Sequence, residues 1–247
     1  MQLVPVRRSR PDHTATLPAV NEPTLSQRVR LHVFEQLVET GSPSVVEELM
    51  LEFGLSRAET TSVLKELADA RHFALVGGTS RILMAFPFSA IATPFRVTAN
   101  GRDYFPNCAW DAVAFHSMLD APIAIDSFCH HCAEPVHIEL SGGRATVVEP
   151  SDAIVYLALK PTQWWEDIIT TCSNTMVFFA SPEHRDASDL AANAQPDSAA
   201  SLTPDQVHAL GRPLYERKLS IDYERPGIDQ LRAHFASLGL TSSYWQA

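Results

Sequence analysis

The segment Phe105-Pro106-Asn107-Cys108-Ala109-Trp110-Asp111 places a cysteine and a carboxylate three residues apart at a predicted helix start. A helix that begins near Pro106 carries Cys108 and Asp111 on one face, where both side chains can contact the same small ligand. The positive end of a helix lowers the pKa of a nearby thiol, so Cys108 is expected to be partly thiolate near neutral pH. The alternative interpretation of this segment is that Cys108 is an inert cysteine packed in the core.

Length and composition restrict the class of protein. The chain has 247 residues, 45% of them hydrophobic, which suits one large or two small packed domains. Its net charge of -10, from 29 acidic and 19 basic residues, argues against a broad nucleic-acid or anionic-membrane surface. A small molecule or a protein is the expected partner. The sequence contains neither a signal peptide nor an apolar run long enough for a bilayer, which predicts a cytoplasmic protein without membrane contact; it predicts no particular oligomeric state.

The N-terminal third combines a polar arm with a compact helical pattern. Residues 1–23 lack hydrophobic periodicity and are predicted to be a flexible arm. Capping boxes at Thr24 and Ser56 and glycine stops at Gly41 and Gly54 delimit three helices. A two-stranded ribbon at 73–86 follows, so residues 24–89 are predicted to form a winged helix-turn-helix domain.

The charge of the third helix bears on DNA binding. A recognition helix needs surplus positive charge to neutralise phosphates. Here Arg57, Lys65 and Arg71 are balanced by Glu59, Glu66 and Asp69. We therefore favour a helical flank or lid for the following domain, with DNA an unlikely partner.

Residues 90–247 change to short strands separated by turns, with a few helices. This pattern predicts an α+β core domain, with helices packed on a mixed, mainly antiparallel sheet. Residues 164–169 are predicted to form a short helix, and residues 185–203, rich in Asp, Ala and Ser, a surface loop or mobile insertion. Two further helices are predicted, from Thr203 onward and from Gly227 to Leu238.

Cys129-His130-His131-Cys132 has the spacing of one half of a tetrahedral zinc site. A complete site requires two more ligands. The chain has no second pair of this kind, and Cys108 and Cys172 lie far away in sequence. A turn with two packed thiols and two solvated imidazoles is therefore favoured over a metal site at Cys129 and Cys132. Cys172 precedes a predicted buried strand, where a thiol can point into a pocket or simply pack in the core.

Together these segments resemble the alkylmercury (organomercurial) lyase family. The similarity covers roughly residues 26–219, and its most specific parts are Cys108-Ala109-Trp110-Asp111, Glu149-Pro150 and Phe178-Phe179-Ala180-Ser181. In that family two cysteines and one aspartate cleave carbon-mercury bonds. The resemblance implies that Cys108, Asp111 and Cys172 are catalytic, that Cys108 and Cys172 hold the substrate mercury, and that Cys129 is structural.

The implied reaction suits these residue types. Thiolates are the preferred ligands of a soft metal such as mercury(II), and a carboxyl group beside them can accept a thiol proton and later deliver it to carbon. The resemblance implies no cofactor, an organomercurial as small-molecule substrate and an external thiol as the acceptor of Hg(II).

Three departures from the family pattern leave alternatives open. One is that the Cys129-His130-His131-Cys132 pair, the long arm and the loop are additions to it. Cys172 stands one residue further from Phe178-Phe179 than the family pattern has it, so either a one-residue insertion lies between them or Ser173 holds the second thiol position. Asn107 replaces an aromatic residue of the family. The alternatives are a lyase-fold enzyme recruited to other carbon-heteroatom chemistry and a winged-helix metal or thiol sensor.

Overall fold

The computed structural model describes residues 22–195 and 197–245, so nearly all of the predicted arm over 1–23 lies outside the described residues. The first helices end where the sequence predicts. Thr24 and Ser56 cap α1 and α3 through their side chains, and Gly41 and Gly54 take left-handed conformations at the ends of α1 and α2. The three helices are α1 (Leu25–Thr40), α2 (Val46–Phe53) and α3 (Arg57–Asp69).

The predicted two-stranded ribbon is wrong in one respect, because it has a third strand. The sheet β1-β2-β3 is antiparallel, and β3 pairs with the end of β2. Phe88 in β3 also forms a bridge with Pro106, which ties this sheet to the segment before the Cys108 helix. The strands are β1 (Phe73–Leu75), β2 (Ile82–Ala85) and β3 (Phe88–Ser89). The winged helix-turn-helix assignment stays a prediction.

A five-stranded antiparallel sheet, in the order β5-β4-β6-β7-β8, forms one layer of the following region. It is joined through the predicted turns at Asn100-Gly101 and Gly142-Gly143, whose positive φ angles suit tight hairpins. The elements are β4 (Arg96–Ala99), β5 (Arg102–Tyr104), α4 (Ala109–Leu119), β6 (Ile123–Phe128), β7 (Pro135–Ser141) and β8 (Arg144–Glu149).

A smaller antiparallel sheet, in the order β10-β9-β11, lies beside α4 and the C-terminal helices. This arrangement confirms the coarse prediction of helices packed with antiparallel strands. The elements are β9 (Ile154–Leu157), α5 (Ile168–Thr175), β10 (Met176–Phe179), α6 (Pro182–Asp186), α7 (Asp189–Ala192), β11 (Ala200–Leu202), α8 (Pro204–Tyr215) and α9 (Ile228–Ser237).

Two predictions for this part of the chain are wrong. The segment 185–203 is not a plain surface loop: it holds the last two residues of α6, all of α7, and β11, which pairs with the free edge of β9 and buries Leu202. The predicted helix at 164–169 is a series of turns, and α5 begins only at Ile168 because Asp167 caps it through Thr170 N–H. Pairing with β9 outweighs the loop-like composition of residues 185–203, and the cap at Asp167 sets the start of α5.

Helix α4 is the centre of the fold. All eight of its residues from Ala109 to His116 are buried, and it contacts α8, β10 and the large sheet. The main hydrophobic core runs without a break from Val29 in α1 to Trp245. Among the described residues, no helix is long and apolar enough to cross a membrane.

Candidate active site

Cys108 caps helix α4, which begins at Ala109 rather than near Pro106. Its backbone is extended, with φ of -157°, and its sulfur accepts a hydrogen bond from the Asp111 backbone N–H at 3.4 Å. The thiol thus takes the place that Ser or Asp occupies in an ordinary N-cap. This capping geometry brings the Cys108 and Asp111 side chains together, as their spacing predicts.

The expectation that Cys108 is partly thiolate is wrong. Burial raises the pKa of the Cys108 thiol well above its ordinary value, and the neighbouring Cys172 thiol and the charge of Asp111 raise it further. The hydrogen bond from the Asp111 N–H opposes this shift but is the weakest influence. A helix N-terminus activates a thiol only where water or a cation also supports the charge, and Cys108 is only 2% exposed. Cys108 is therefore a neutral thiol.

Cys172 reaches the same place from α5. Its sulfur, the Cys108 sulfur and an Asp111 carboxylate oxygen all lie within 4.8 Å of one another. Cys172 is buried whereas Ser173 is exposed, so the helix turns the cysteine and not the serine toward Cys108. The hydrogen bond with Cys108 lowers the pKa of Cys172, but burial and the Asp111 charge raise it, and the net pKa is above its ordinary value.

Strand β10 fixes the distance between the two cysteine-bearing helices. It follows α5 directly, and the sulfur of its first residue, Met176, lies 3.8 Å from the Cys108 sulfur. Thioether and thiol groups are both polarisable and pack closely. The wall of the site beside Cys108 is therefore soft as well as apolar.

The Asp111 carboxylate is buried and held on both oxygens. Tyr215 donates its hydroxyl to Oδ1 at 2.6 Å, and Asn107 donates its side-chain amide to Oδ2 at 3.1 Å. Burial raises the pKa of Asp111 above its ordinary value, while these two hydrogen bonds and the charge of Lys218 hold the rise back. The carboxyl group is thereby favoured in its protonated form more than a surface aspartate is.

Sequence reasoning missed Asn107, Tyr215 and Lys218 as parts of this site. Tyr215 lies 104 residues from Asp111 and comes from the end of α8, so no local pattern links the two. Lys218 is 1% exposed, and burial lowers its pKa well below its ordinary value, although the charge of Asp111 opposes that shift. Its ammonium lies 4.8 Å from the centre of the Tyr215 ring. Only the three-dimensional fold brings these groups together.

A small cavity of about 50 Å³ opens onto Cys108, Asp111 and Cys172. Five of its twelve wall residues are aromatic, and the Trp164 indole is fixed by a hydrogen bond to the Leu159 carbonyl at 2.7 Å. A narrow apolar cavity excludes water and suits a small hydrophobic group. The aromatic wall residues are Phe86, Trp110, Trp164, Trp165 and Tyr215.

A second group of metal-ligating side chains lies elsewhere. Cys129, Cys132 and His184 also place their ligand atoms within 4.8 Å of one another. The interpretation of two packed thiols is wrong for Cys132, which is exposed, while Cys129 is buried. His184 follows Ser181-Pro182 in α6 and carried no sequence signal as a partner, because it lies 52 residues after Cys132.

The family assignment rests on a comparison over the central part of the chain. The alkylmercury lyase family model matches residues 88–216, more than half of the chain. The chain belongs to the alkylmercury lyase family. The matched range contains Cys108, Asp111 and Cys172, and Lys218 lies just beyond its end.

Individual alkylmercury lyases are similar at modest identity. The protein of Staphylococcus epidermidis is 27% identical over 192 residues, covering 78% of this chain and 82% of that protein. That of Bacillus cereus is 25% identical over 147 residues, covering 60% of this chain and 64% of the relative, somewhat less than two thirds of its length. That of Streptomyces lividans is 31% identical over 130 residues, 53% of this chain and 58% of that protein.

A solved structure shares the fold. The crystal structure of the mercury-bound form of MerB2 aligns with a TM-score of 0.62 and 21% identity, covering 80% of this chain and 93% of that chain. At this identity the likeness supports the arrangement of helices and sheets.

Proposed function

We propose that this chain is an organomercurial lyase that cleaves carbon-mercury bonds by protonolysis, giving a hydrocarbon and Hg(II). The observation that carries the proposal is the convergence of two buried sulfurs and one buried carboxylate within 4.8 Å at one cavity. Two thiolates suit a soft metal ion, and a carboxylic acid beside them supplies the proton. Membership of the alkylmercury lyase family supports the same reaction.

The substrate R–Hg⁺ binds first through sulfur. Formation of the mercury-sulfur bonds displaces the thiol protons of Cys108 and Cys172. The free energy of these bonds offsets the cost of deprotonating two thiols whose pKa values are raised. One of these protons passes to the Asp111 carboxylate, whose pKa is also raised, and the other is released to solvent. The organic group R then lies in the aromatic cavity beside Asp111.

Proton delivery breaks the carbon-mercury bond. The Asp111 carboxyl gives its proton to carbon, the electron pair of the C–Hg bond forms the C–H bond, and mercury stays in the Hg(II) state on the two thiolates. No electron transfer and no organic cofactor is needed. An external thiol then removes Hg(II) by ligand exchange, and the protein thiols regain protons from water.

The test is benzene release from phenylmercuric acetate with excess thiol. We expect Cys108→Ser and Cys172→Ser to abolish turnover, because each removes one soft ligand. Asp111→Ala is expected to lower kcat by about a hundredfold or more, the usual contribution of a positioned acid. The matched control is Ser173→Ala, an exposed neighbour of Cys172 that should keep full activity.

The outcomes separate the proposal from its alternatives. If Ser173→Ala is inactive and Cys172→Ser is active, the second mercury ligand is at position 173 and not at 172. A wild-type protein that binds one mercury per chain without releasing benzene would replace the lyase by a sensor or by an enzyme recruited to other chemistry.

We also propose that the N-terminal helical unit, α1–α3 with its small sheet, is a winged-helix-like flank of the core and not a DNA reader. Arg57 is ion-paired with Glu47, and Lys65 with Asp69, so two basic residues of α3 are already neutralised. On its other side the unit is bound to the core, since the buried Arg30 donates to the Lys218 carbonyl at 2.6 Å. A gel-shift assay with random duplex DNA at low salt should detect no binding; salt-sensitive binding would contradict the proposal.

A further inference from the structure

A second cluster of sulfurs lies at the end of β10 that is far from the active thiols, Cys108 and Cys172. There the turn between β6 and β7 meets the start of α6. Met176, at one end of β10, contacts Cys108, whereas Phe179 and Ala180 at the other end pack against Cys129. A strand of this length spans about 10 Å, so the two sulfur clusters are distinct sites. Residues 129–132 and 184 are not used by the proposed reaction.

The distances at this cluster suit one tetrahedral ion. His184 Nδ1 lies 3.6 Å from the Cys129 sulfur and 3.4 Å from the Cys132 sulfur. Zinc-sulfur and zinc-nitrogen bonds of about 2.3 and 2.05 Å at a tetrahedral angle place sulfur and nitrogen about 3.6 Å apart. We propose that Cys129, Cys132 and His184 bind a zinc ion as two thiolates and one imidazole.

The surroundings of Cys129 resemble those of a metal thiolate. Backbone N–H groups of Ala180, Cys132 and His131 donate hydrogen bonds to its sulfur. Such donors orient a ligand and offset its negative charge, which is the usual role of groups that surround a metal ligand. A thiol that merely packs in a core does not need several amide donors.

The turn is closed in a way that directs both sulfurs to one side. The Cys129 N–H donates to the Glu134 carbonyl at 2.7 Å, and the Ala133 N–H donates to the Cys129 carbonyl at 2.9 Å. Ala133 adopts a positive φ of 61°, a conformation that costs a residue with a Cβ some energy. The strained residue immediately after Cys132 turns the chain back so that Cys132 lies beside His184.

Cys129, Cys132 and His184 leave the fourth position of a tetrahedral ion to water or to the neighbouring Glu134 carboxylate. Glu134 Oε2 lies 3.8 Å from His184 Nδ1, but it is outside the group of three ligand atoms that lie within 4.8 Å of one another. Two thiols lose their protons to the buffer when Zn²⁺ binds, and the metal undergoes no redox change. The ion would join the β6–β7 turn to α6, a helix of only five residues with little stability of its own.

The test uses the full chain, purified without added metal, with zinc alone as the probe. Zinc is titrated against a chromophoric chelator, and Co²⁺ replaces zinc in a second titration to report tetrahedral thiolate coordination by its absorption. We expect one zinc per chain and a higher Tm with zinc. Cys132→Ser and His184→Asn, both near the surface, should weaken binding by roughly a hundredfold or more.

Two controls separate this site from the active thiols. His131→Asn changes a neighbouring imidazole, whose ring centre lies 5.9 Å from that of His184, and should retain zinc. The double variant Cys108→Ser with Cys172→Ser should also retain zinc and its effect on Tm while losing benzene release. Failure of the lyase proposal therefore leaves the zinc proposal intact, and the reverse also holds.

Two outcomes overturn the inference, and a third supports the three-residue site and decides only its fourth ligand. Zinc that stays bound in Cys132→Ser but is lost in the double variant belongs to the active thiols. A wild-type protein that takes no zinc from the chelator has no such site, and the cluster is then a hydrogen-bonded turn. A Glu134→Gln variant with unchanged cobalt spectra would give the fourth position to water and leave the three-residue site in place.

Discussion

At the residue scale, the Asp111 carboxyl combines deep burial with two hydrogen-bond donors. Burial favours the protonated acid, whereas Tyr215 and Asn107 stabilise the carboxylate. A group that must first accept a proton and then give it up benefits from these opposing influences on its pKa. The Asp111 site is thus suited to proton transfer in both directions.

Removal of the Tyr215 hydroxyl tests this balance. Tyr215→Phe deletes a donor to the carboxylate, so the pKa of Asp111 should rise further. The acid that delivers the proton then persists to higher pH. In single-turnover benzene release from prebound substrate, the alkaline fall in rate should move to higher pH.

The control is Tyr223→Phe, which removes a hydroxyl that donates to the Leu214 carbonyl at 2.8 Å rather than to Asp111. Its pH profile should match that of the wild type. A Tyr215→Phe profile that moves to lower pH, or that does not move, would contradict the assignment of Asp111 as the proton donor.

At the element scale, the contact between α4 and α8 depends on a residue without a side chain. A Cβ added at Gly211 would lie 2.9 Å from the Trp110 indole nitrogen, closer than a buried ring tolerates. The Trp110 indole is itself buried at 3% exposure and lines the cavity. Gly211 therefore sets how closely α8 can bring Tyr215 to Asp111.

Gly211→Ala should destabilise the protein despite the better helix propensity of alanine. Propensity favours the change by about 1 kcal/mol, but overpacking a rigid core contact costs about 1–3 kcal/mol. We expect a net loss of about 1 kcal/mol in the free energy of unfolding, measured by urea denaturation. Gly77→Ala, where nothing lies within 4 Å of the added Cβ, should be near neutral, and an equal effect of both changes would exclude the overpacking argument.

At the scale of the whole molecule, the N-terminal helical unit is joined to the C-terminal segment through a group of buried cations. Arg30 of α1 donates to the carbonyls of Lys218 and Ser220, at 2.6 and 2.5 Å. His72 lies close by, and burial together with the charges of Lys218, Arg30 and Arg225 lowers its pKa from 6.5 to about 3. The folded protein therefore keeps His72 neutral at pH values where the unfolded chain protonates it.

This difference predicts acid sensitivity. Below pH 6.5 the unfolded state binds a proton that the native state does not, so stability should fall as pH falls, with a slope of up to about 1.4 kcal/mol per pH unit. His72→Gln removes this contribution. Between pH 6.5 and 5 the wild type should lose roughly 1–2 kcal/mol more than the variant.

Urea unfolding of both proteins at pH 8, 6.5 and 5 measures the effect. The difference in unfolding free energy between them should be constant from pH 8 to 7 and shrink or reverse toward pH 5. Parallel curves over the whole range would show that His72 does not titrate between the two states.

Local chemistry decided much of this fold in advance. The caps at Thr24 and Ser56 and the glycines at 41 and 54 defined α1 to α3, since a cap depends only on residues within one turn. The three-residue spacing of Cys108 and Asp111 likewise determined that they share one end of α4.

Tertiary structure decided what depends on burial and on distant residues. Packing between segments that are far apart in the sequence raises the pKa of Cys108 and turns Cys172, not Ser173, toward it. The same packing brings Tyr215 to Asp111 and His184 to Cys129 and Cys132. Strand β11 and helix α7 form in a stretch whose composition predicts a loop, because the edge of β9 supplies a pairing partner. Desolvation and long-range pairing have no local sequence signal, whereas caps, turns and helical spacing do.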